Sequence, residues 1–200
     1  MPPRRKSLTK RLNRLERDAK PEVKHHHGAS GAFDTVGSIS GTLIRTCSIA
    51  QGTGRSYRVG DSIKAKNCRF KAIVKMPSLA SNPTCAIRLL VLRARDRNDI
   101  DVSNMPNWYS QVDEEKFIVV KDVLTQVSQL GTRNAGGNGD SFSTGSTLKQ
   151  FNYNLKLGNR KLVYDGGLST PMAGETFIYM LAENQSAEVA YNWRMYYIDP

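Results

Sequence analysis

No apolar run in this chain is long enough to cross a bilayer. The longest, residues 177–182 (FIYMLA), falls far short of the roughly 20 residues that a spanning helix needs. The first two dozen residues are basic and lack an apolar h-region, so they do not read as a secretory signal. Cysteine is sparse as well. Cys47, Cys68 and Cys85 are odd in number, far apart and without a C-x-x-C pair, which argues against a disulfide framework, a zinc finger or a thioredoxin-like motif and favours a reducing compartment. The only histidines are His25, His26 and His27, followed by the small residues 28–31. This stretch reads as a linker, with a metal site on the imidazoles as the other reading. No histidine is left for the rest of the chain, so Ser-His-Asp, Cys-His and most zinc-hydrolase chemistries lack a required part.

The remaining catalytic motifs fail on the same kind of test. Gly60-Asp61-Ser62 and Gly139-Asp140-Ser141 have the form of a lipase nucleophile block, but neither has a downstream histidine. Gly52-Thr53-Gly54 lacks the third glycine of a dinucleotide fingerprint, since position 57 is Tyr, and Gly136, Gly137 and Gly139 are not followed by the Lys-Ser/Thr of a P-loop. Both read as turns. Asp113, Glu114 and Glu115 read as a solvated loop end. No catalytic constellation is found, and the chain is not expected to be an enzyme.

What is present is positive charge. The 200 residues carry 29 Lys+Arg against 18 Asp+Glu, a net charge of +11, unevenly placed: +6 over residues 1–24, +9 over 25–98 and −4 over 99–200. Such polarity points to a polyanionic partner on one side, nucleic acid first and an anionic membrane second. Arg4, Arg5, Lys6, Lys10, Arg11, Arg14, Arg17, Lys20 and Lys24 form an N-terminal run suited to phosphates without sequence specificity. Leu8, Leu12 and Leu15 fall at i, i+4 and i+7, a narrow apolar stripe on a short basic helix. Isolated helices of about 14 residues are marginal in water, so the arm is expected to be disordered alone and helical against a partner. Residues 2–6 also fit a nuclear import signal.

From residue 40 onward the pattern is strands, expected at 42–50, 62–76, 84–95, 116–126, 147–157, 160–164, 175–183 and 188–198, each β-branched or aromatic-rich and bounded by turn residues. Phe151, Tyr153, Leu155 and Leu157 share one phase, as do Val189, Tyr191, Trp193, Met195 and Tyr197. The phase slips between Ala65 and Cys68, which predicts a bulge near Asn67. Two long loops interrupt the strands: 97–115, with Asp96, Asp99 and Asp101 nearby and a helical turn expected at 105–110, and the Gly/Asn/Ser-rich 128–146. Eight short strands with no long helix predict an all-β sandwich or barrel. Division at residue 31 gives an arm and linker (1–31) and a folded domain (32–200). Arg45, Lys64, Lys66, Arg69 and Lys71 are candidate cations for one face of it, or ordinary exposed lysines and arginines.

The motifs SIAQGTG (48–54), RVGDSI (58–63), LRARDR (92–97) and EKFIVVKDV (115–123), in this order behind a basic arm, resemble the small coat proteins of satellite tobacco necrosis virus and the related capsid proteins of circular single-stranded DNA viruses. The resemblance covers most of the chain. It implies an eight-stranded jelly roll with sheets BIDG and CHEF, assembling as a T=1 icosahedral homo-oligomer in the virion. The arms would point inward to a single-stranded genome, with Leu8, Leu12 and Leu15 as the seam between three arm helices; the start near Pro2 leans toward nuclear assembly and DNA over RNA. About 60 arms would supply about 540 positive charges, enough for as many nucleotides. No cofactor is implied beyond calcium between subunits, held by backbone carbonyls near Val59 and Ser62 of one copy and the carboxylate of Asp199 of its neighbour. A second family site wants an acid where this chain has Thr53. The competing reading is a basic β-barrel nucleic-acid module working as a monomer, which calls for surface aromatics among its basic residues.

Overall fold

The computed structural model describes residues 21–36, 41–76, 84–130, 145–146, 148–184 and 187–199. Strands β1 (Val23–Ala29), β2 (Asp34–Thr35), β3 (Thr42–Arg45), β4 (Ser62–Lys75), β5 (Thr84–Ala94), β6 (Phe117–Leu130), β7 (Gly145–Ser146), β8 (Lys149–Val163), β9 (Thr176–Ala182) and β10 (Glu188–Ile198) account for its regular structure, together with two single 3-10 turns. They form two antiparallel sheets. The first runs β1-β10-β4-β8, with β2 also on β10; the second runs β3-β9-β5-β6-β7. The chain is therefore all-β, and the two sheets are compatible with a sandwich.

Alternation builds the core between them. Phe151 and Leu155 on β8, Val189, Trp193, Met195 and Tyr197 on β10, and Cys68, Phe70, Ala72 and Val74 on β4 all turn inward and join one cluster with Ile87, Leu89, Val91, Ile178 and Met180 of the second sheet. Truncating a side chain such as the fully buried Phe70 to alanine costs about 3–5 kcal/mol. The predicted bulge is present: against β10 pairing skips from Ala65 to Asn67, which leaves Lys66 as the extra residue, while on the β8 side Leu157, Gly158 and Asn159 stand opposite it.

The second sheet is covered on its other side too. Leu90, Leu92, Phe117, Phe177, Tyr179 and Leu181 form a second cluster against Ile100, Met105, Trp108 and Val112 of the 95–116 segment. Every residue of β9 is consequently buried, which explains the longest apolar run in the chain: a strand buried on both faces has no polar phase. Arg88 pins the covering segment. Its Nη1 donates to Ser110 O at 2.6 Å while Nε and Nη2 grip Asp122 at 3.1 and 2.7 Å.

Several sequence expectations need correction. Residues 23–29, read as the end of an arm and a histidine linker, form β1, in continuous register with β10 from Val23↔Ile198 to Ala29↔Asn192. Their polar and small side chains conceal a strand because Gly28 lies under Trp193: a Cβ there would sit 2.9 Å from the indole ring. The strand expected at 42–50 ends at Arg45, after which Thr46 Oγ1 donates to Thr176 O at 2.7 Å and Ile49 N–H to Ser169 O at 2.7 Å. The separate strands expected at 147–157 and 160–164 are one strand, β8, carried through Gly158 and Asn159 at φ 68° and 55°. The helical turn expected at 105–110 is replaced by 3-10 turns at Arg97–Asp99 and Val102–Asn104, whose N-caps are Asp96 and Asp101. Those acids, with Asp99 completing a capping box, are thus used by the local backbone.

Candidate nucleic-acid interface

Of the cations expected to meet nucleic acid, Arg4, Arg5, Lys6, Lys10, Arg11, Arg14, Arg17 and Lys20 lie outside the described residues, as do Leu8, Leu12 and Leu15. Lys24 lies within β1. The described residues place a different basic surface on view, the face of the first sheet that points away from the core.

Strand register arranges this face in rows. His27, Arg194, Arg69 and Asn154 lie side by side across β1, β10, β4 and β8. The adjacent row is Ala29, Asn192, Lys71 and Asn152; on the other side come His25, Tyr196, Asn67 and Lys156, then Val23, Ile198, Lys64 and Lys161. The first three rows are about 7 Å apart, two residues along each strand; the bulge separates the fourth from them. Arg69, Lys71, Lys156, Lys161, Lys64 and Arg194 make no ion pair among the described residues. The one carboxylate at an outward position of these strands, Glu188, is at the far end and already matched by Lys75 at 3.3 Å. Like charges thus stand directly opposite at Arg194–Arg69 and Lys64–Lys161, an arrangement that costs stability unless an anion lies over it.

The face is also concave. A groove of about 460 Å³ is lined by Ser30, Lys71, Gln150, Asn152 and Asn192, and an adjoining one of about 420 Å³ by His27, Arg69, Lys71, Arg194 and Tyr196. Cations, amides and two hydroxyl groups converge there. Tyr196 lies 5.4 Å beneath the Arg69 guanidinium, and His25 and His27 stack at 6.0 Å. Phosphate oxygens find charge and hydrogen-bond donors on such a surface, whereas bases find few flat platforms.

The five candidate face cations divide. Lys64, Arg69 and Lys71 belong to this face, and Lys66 is the bulge residue. Arg45 is in the second sheet, where it grips the buried carboxylate of Glu175 through Nε at 3.1 Å and through Nη2. Sequence reasoning passed over Arg194, Lys156, Lys161 and the Asn residues. Their signal was present in the outward phase of two strands, which the sequence reading noted without giving it a role.

The residues expected near calcium are brought together in another way. Asp199 Oδ2 accepts Val59 N–H at 2.6 Å and the Lys24 ammonium at 2.9 Å, and both charged side chains are nearly buried, 7% and 11% exposed. Burial works to raise the Asp199 pKa, but the hydrogen bonds from Lys24 and Val59 and the Lys24 charge outweigh it and hold the carboxyl below its usual range. The Val59 carbonyl is turned to Gln51 Nε2 at 3.0 Å, and Ser62 opens β4 opposite Val163. Within one chain, donors therefore surround the carboxylate and an ammonium holds the cation position, so there Asp199 acts as an ion-pair partner; the calcium expected between subunits involves a second chain.

Beside this lies Arg58, fully buried. Its Nε donates to Ile49 O at 3.3 Å, Nη2 to Leu168 O at 2.8 Å and Nη1 to Gly60 O, and its guanidinium lies 4.4 Å from the centre of the Tyr164 ring. The arginine of the R-x-G-D turn is thus a structural clamp on three loop segments. Cys47, Cys68 and Cys85 are buried free thiols; burial pushes the first two up to about 12, which leaves them inert.

No family model matches the chain, and no curated protein matches it.

Proposed function

We propose that this chain is a viral capsid protein, a jelly roll that assembles in many copies into a closed T=1 shell and packages single-stranded nucleic acid. The observation that carries the proposal is strand order. Lettering the eight longer strands B to I along the chain turns the first sheet into B-I-D-G and the second into C-H-E-F, with β2 and β7 as two-residue additions. This order supports the jelly roll that the resemblance in sequence implies.

The cation rows support the second half of the reading. If the B-I-D-G sheet lines the lumen, Arg69, Lys71 and Arg194 join the basic arm in neutralising the genome, by charge and without reading bases. The basic start near Pro2 leans slightly toward assembly in the nucleus of the host cell, and so toward DNA over RNA. A monomeric β-barrel nucleic-acid module is the second reading; against it, Tyr196 is the single phenol or indole ring among the four rows, where stacking modules carry several.

The test compares the full chain with a variant lacking residues 1–20, which stops short of β1. Nucleic acid co-purifying with each is measured by absorbance ratio and by binding of fluorescent single-stranded DNA across a salt series. The full chain is expected to retain nucleic acid with a steep salt dependence, and the truncated chain to retain less with a shallower slope. Equal, salt-insensitive behaviour of both overturns the packaging role.

A further inference from the structure

Strand β1 is the most weakly seated strand of the first sheet. It pairs with β10 along one edge, and no other described strand pairs along the opposite edge. None of its seven residues is buried. Its inward positions are Lys24, His26 and Gly28, opposite Tyr197, Met195 and Trp193, so hydrophobic side chains contribute little to its docking. What holds it, besides the backbone ladder, is the Lys24–Asp199 pair at 2.9 Å, the fit of Gly28 under the Trp193 indole, and the His26 ring packed 5.2 Å from that same indole. His25 and His27 point the other way and stack on each other at 6.0 Å, so the three imidazoles do not converge.

We infer that β1 is a strap released by acid: a fall from about pH 7.5 to about 5.5 undocks Val23–Ala29 from β10 while the two sheets stay folded, with His26 as the trigger. The inference does not rest on the shell reading, since every group in it belongs to one chain.

The chemistry lies in the position of the ring. A charged imidazole donates from both nitrogens, yet His26 Nδ1 is shut away from solvent with no hydrogen-bond partner, and an unpaired charge there is costly. Burial is the main reason that the His26 pKa sits below its ordinary value, with the His27 charge second; the backbone of Ser56 and Ser48 pulls the other way. A histidine depressed in the docked state takes its proton more readily when released. Docking is therefore strongest above the free value of about 6.5 and weakens as pH falls through it toward the docked value.

The other inward groups around the ring do not titrate in that window. Tyr197 on β10 is pushed up to about 12 and stays neutral. Asp199 is held below the usual carboxylate range, so its pair with Lys24 persists. In the loop beside Ser48 and Ser56, Arg55 and Arg58 supply fixed cations, the first exposed and the second bound to three carbonyls. On the outward face, His25 and His27 stand beside Tyr196 and Arg194, and protonation there also adds repulsion against Arg194. The test separates the two faces.

Hydrogen exchange, read by mass spectrometry, is followed on the 200-residue chain freed of nucleic acid, at about pH 7.5, 6.5 and 5.5. The protection factor of β1 is divided by that of β4 in the same sample, which cancels intrinsic rates and isolates local opening. Wild type is compared with His26→Leu and with a His25→Gln/His27→Gln double variant. Between the pH limits the wild-type ratio is expected to fall about three- to tenfold, as one proton allows at most tenfold per pH unit. The outward double variant is expected to keep the fall, and His26→Leu to stay level. A level ratio in the wild type overturns the inference, as does a fall that persists in His26→Leu or vanishes in the double variant. If His26→Leu does not fold, the other two decide: a fall kept in the double variant upholds the inference, and a fall lost there contradicts it.

Discussion

Arg194 on β10 and Arg69 on β4 face each other as direct cross-strand partners on the outward side of the first sheet, with no carboxylate paired to either among the described residues. Like charges in that relation repel, and a fold gains nothing from them alone. Changing both to glutamine should therefore leave thermal stability, measured free of nucleic acid, equal to or slightly above that of the wild type. The same variant should bind single-stranded DNA more weakly. Its slope of log K against log salt should be shallower by about 1.4, because two fewer phosphates are neutralised. A lower melting temperature with an unchanged salt slope would make the pair structural.

Arg58 should behave in the opposite way. Its guanidinium satisfies carbonyls of Ile49, Gly60 and Leu168 in a fully buried position, and a thioether in its place would donate to none of them. Arg58→Met is expected to lose about 3–5 kcal/mol in urea denaturation. Arg58→Lys keeps the charge but lacks the planar fork, so it should fall between. An unaltered midpoint in Arg58→Met would remove the turn's role as a clamp.

Glu175 gives a pH signature. Burial raises its pKa, with the Arg45 hydrogen bonds and charge pulling the other way. A carboxyl whose pKa is higher folded than unfolded favours the native state while protonated, and that advantage fades as pH rises through the unfolded and then the folded value. Relative to wild type, Glu175→Gln should therefore gain stability as pH is raised from about 4 toward 7. Parallel stability curves across that range would contradict the shift.

Much of the fold was legible because burial on one face writes a period of two into the sequence. Val189 to Tyr197 and Phe151 to Leu157 announced their inward phase, and the slip before Cys68 announced the bulge. Strand β1 was not legible. Its residues VKHHHGA have no apolar alternation, and they pair along β10 because Gly28 and Trp193 fit together, a relation between positions far apart in the chain. The 3-10 turns were hidden likewise, since Asp96 and Asp101 read as loose acids until their backbone hydrogen bonds to Asn98 and Ser103 are seen. The cation face was half legible: Lys64, Arg69 and Lys71 came from one strand, but Arg194 and Lys156 joined them only through register.

Electron microscopy of the purified 200-residue chain, at low salt and again after dilution into about 1 M salt, tests the central claim most directly. The account predicts closed particles of one uniform size containing nucleic acid at low salt. A monomeric protein under both conditions, with no nucleic acid attached, would contradict it.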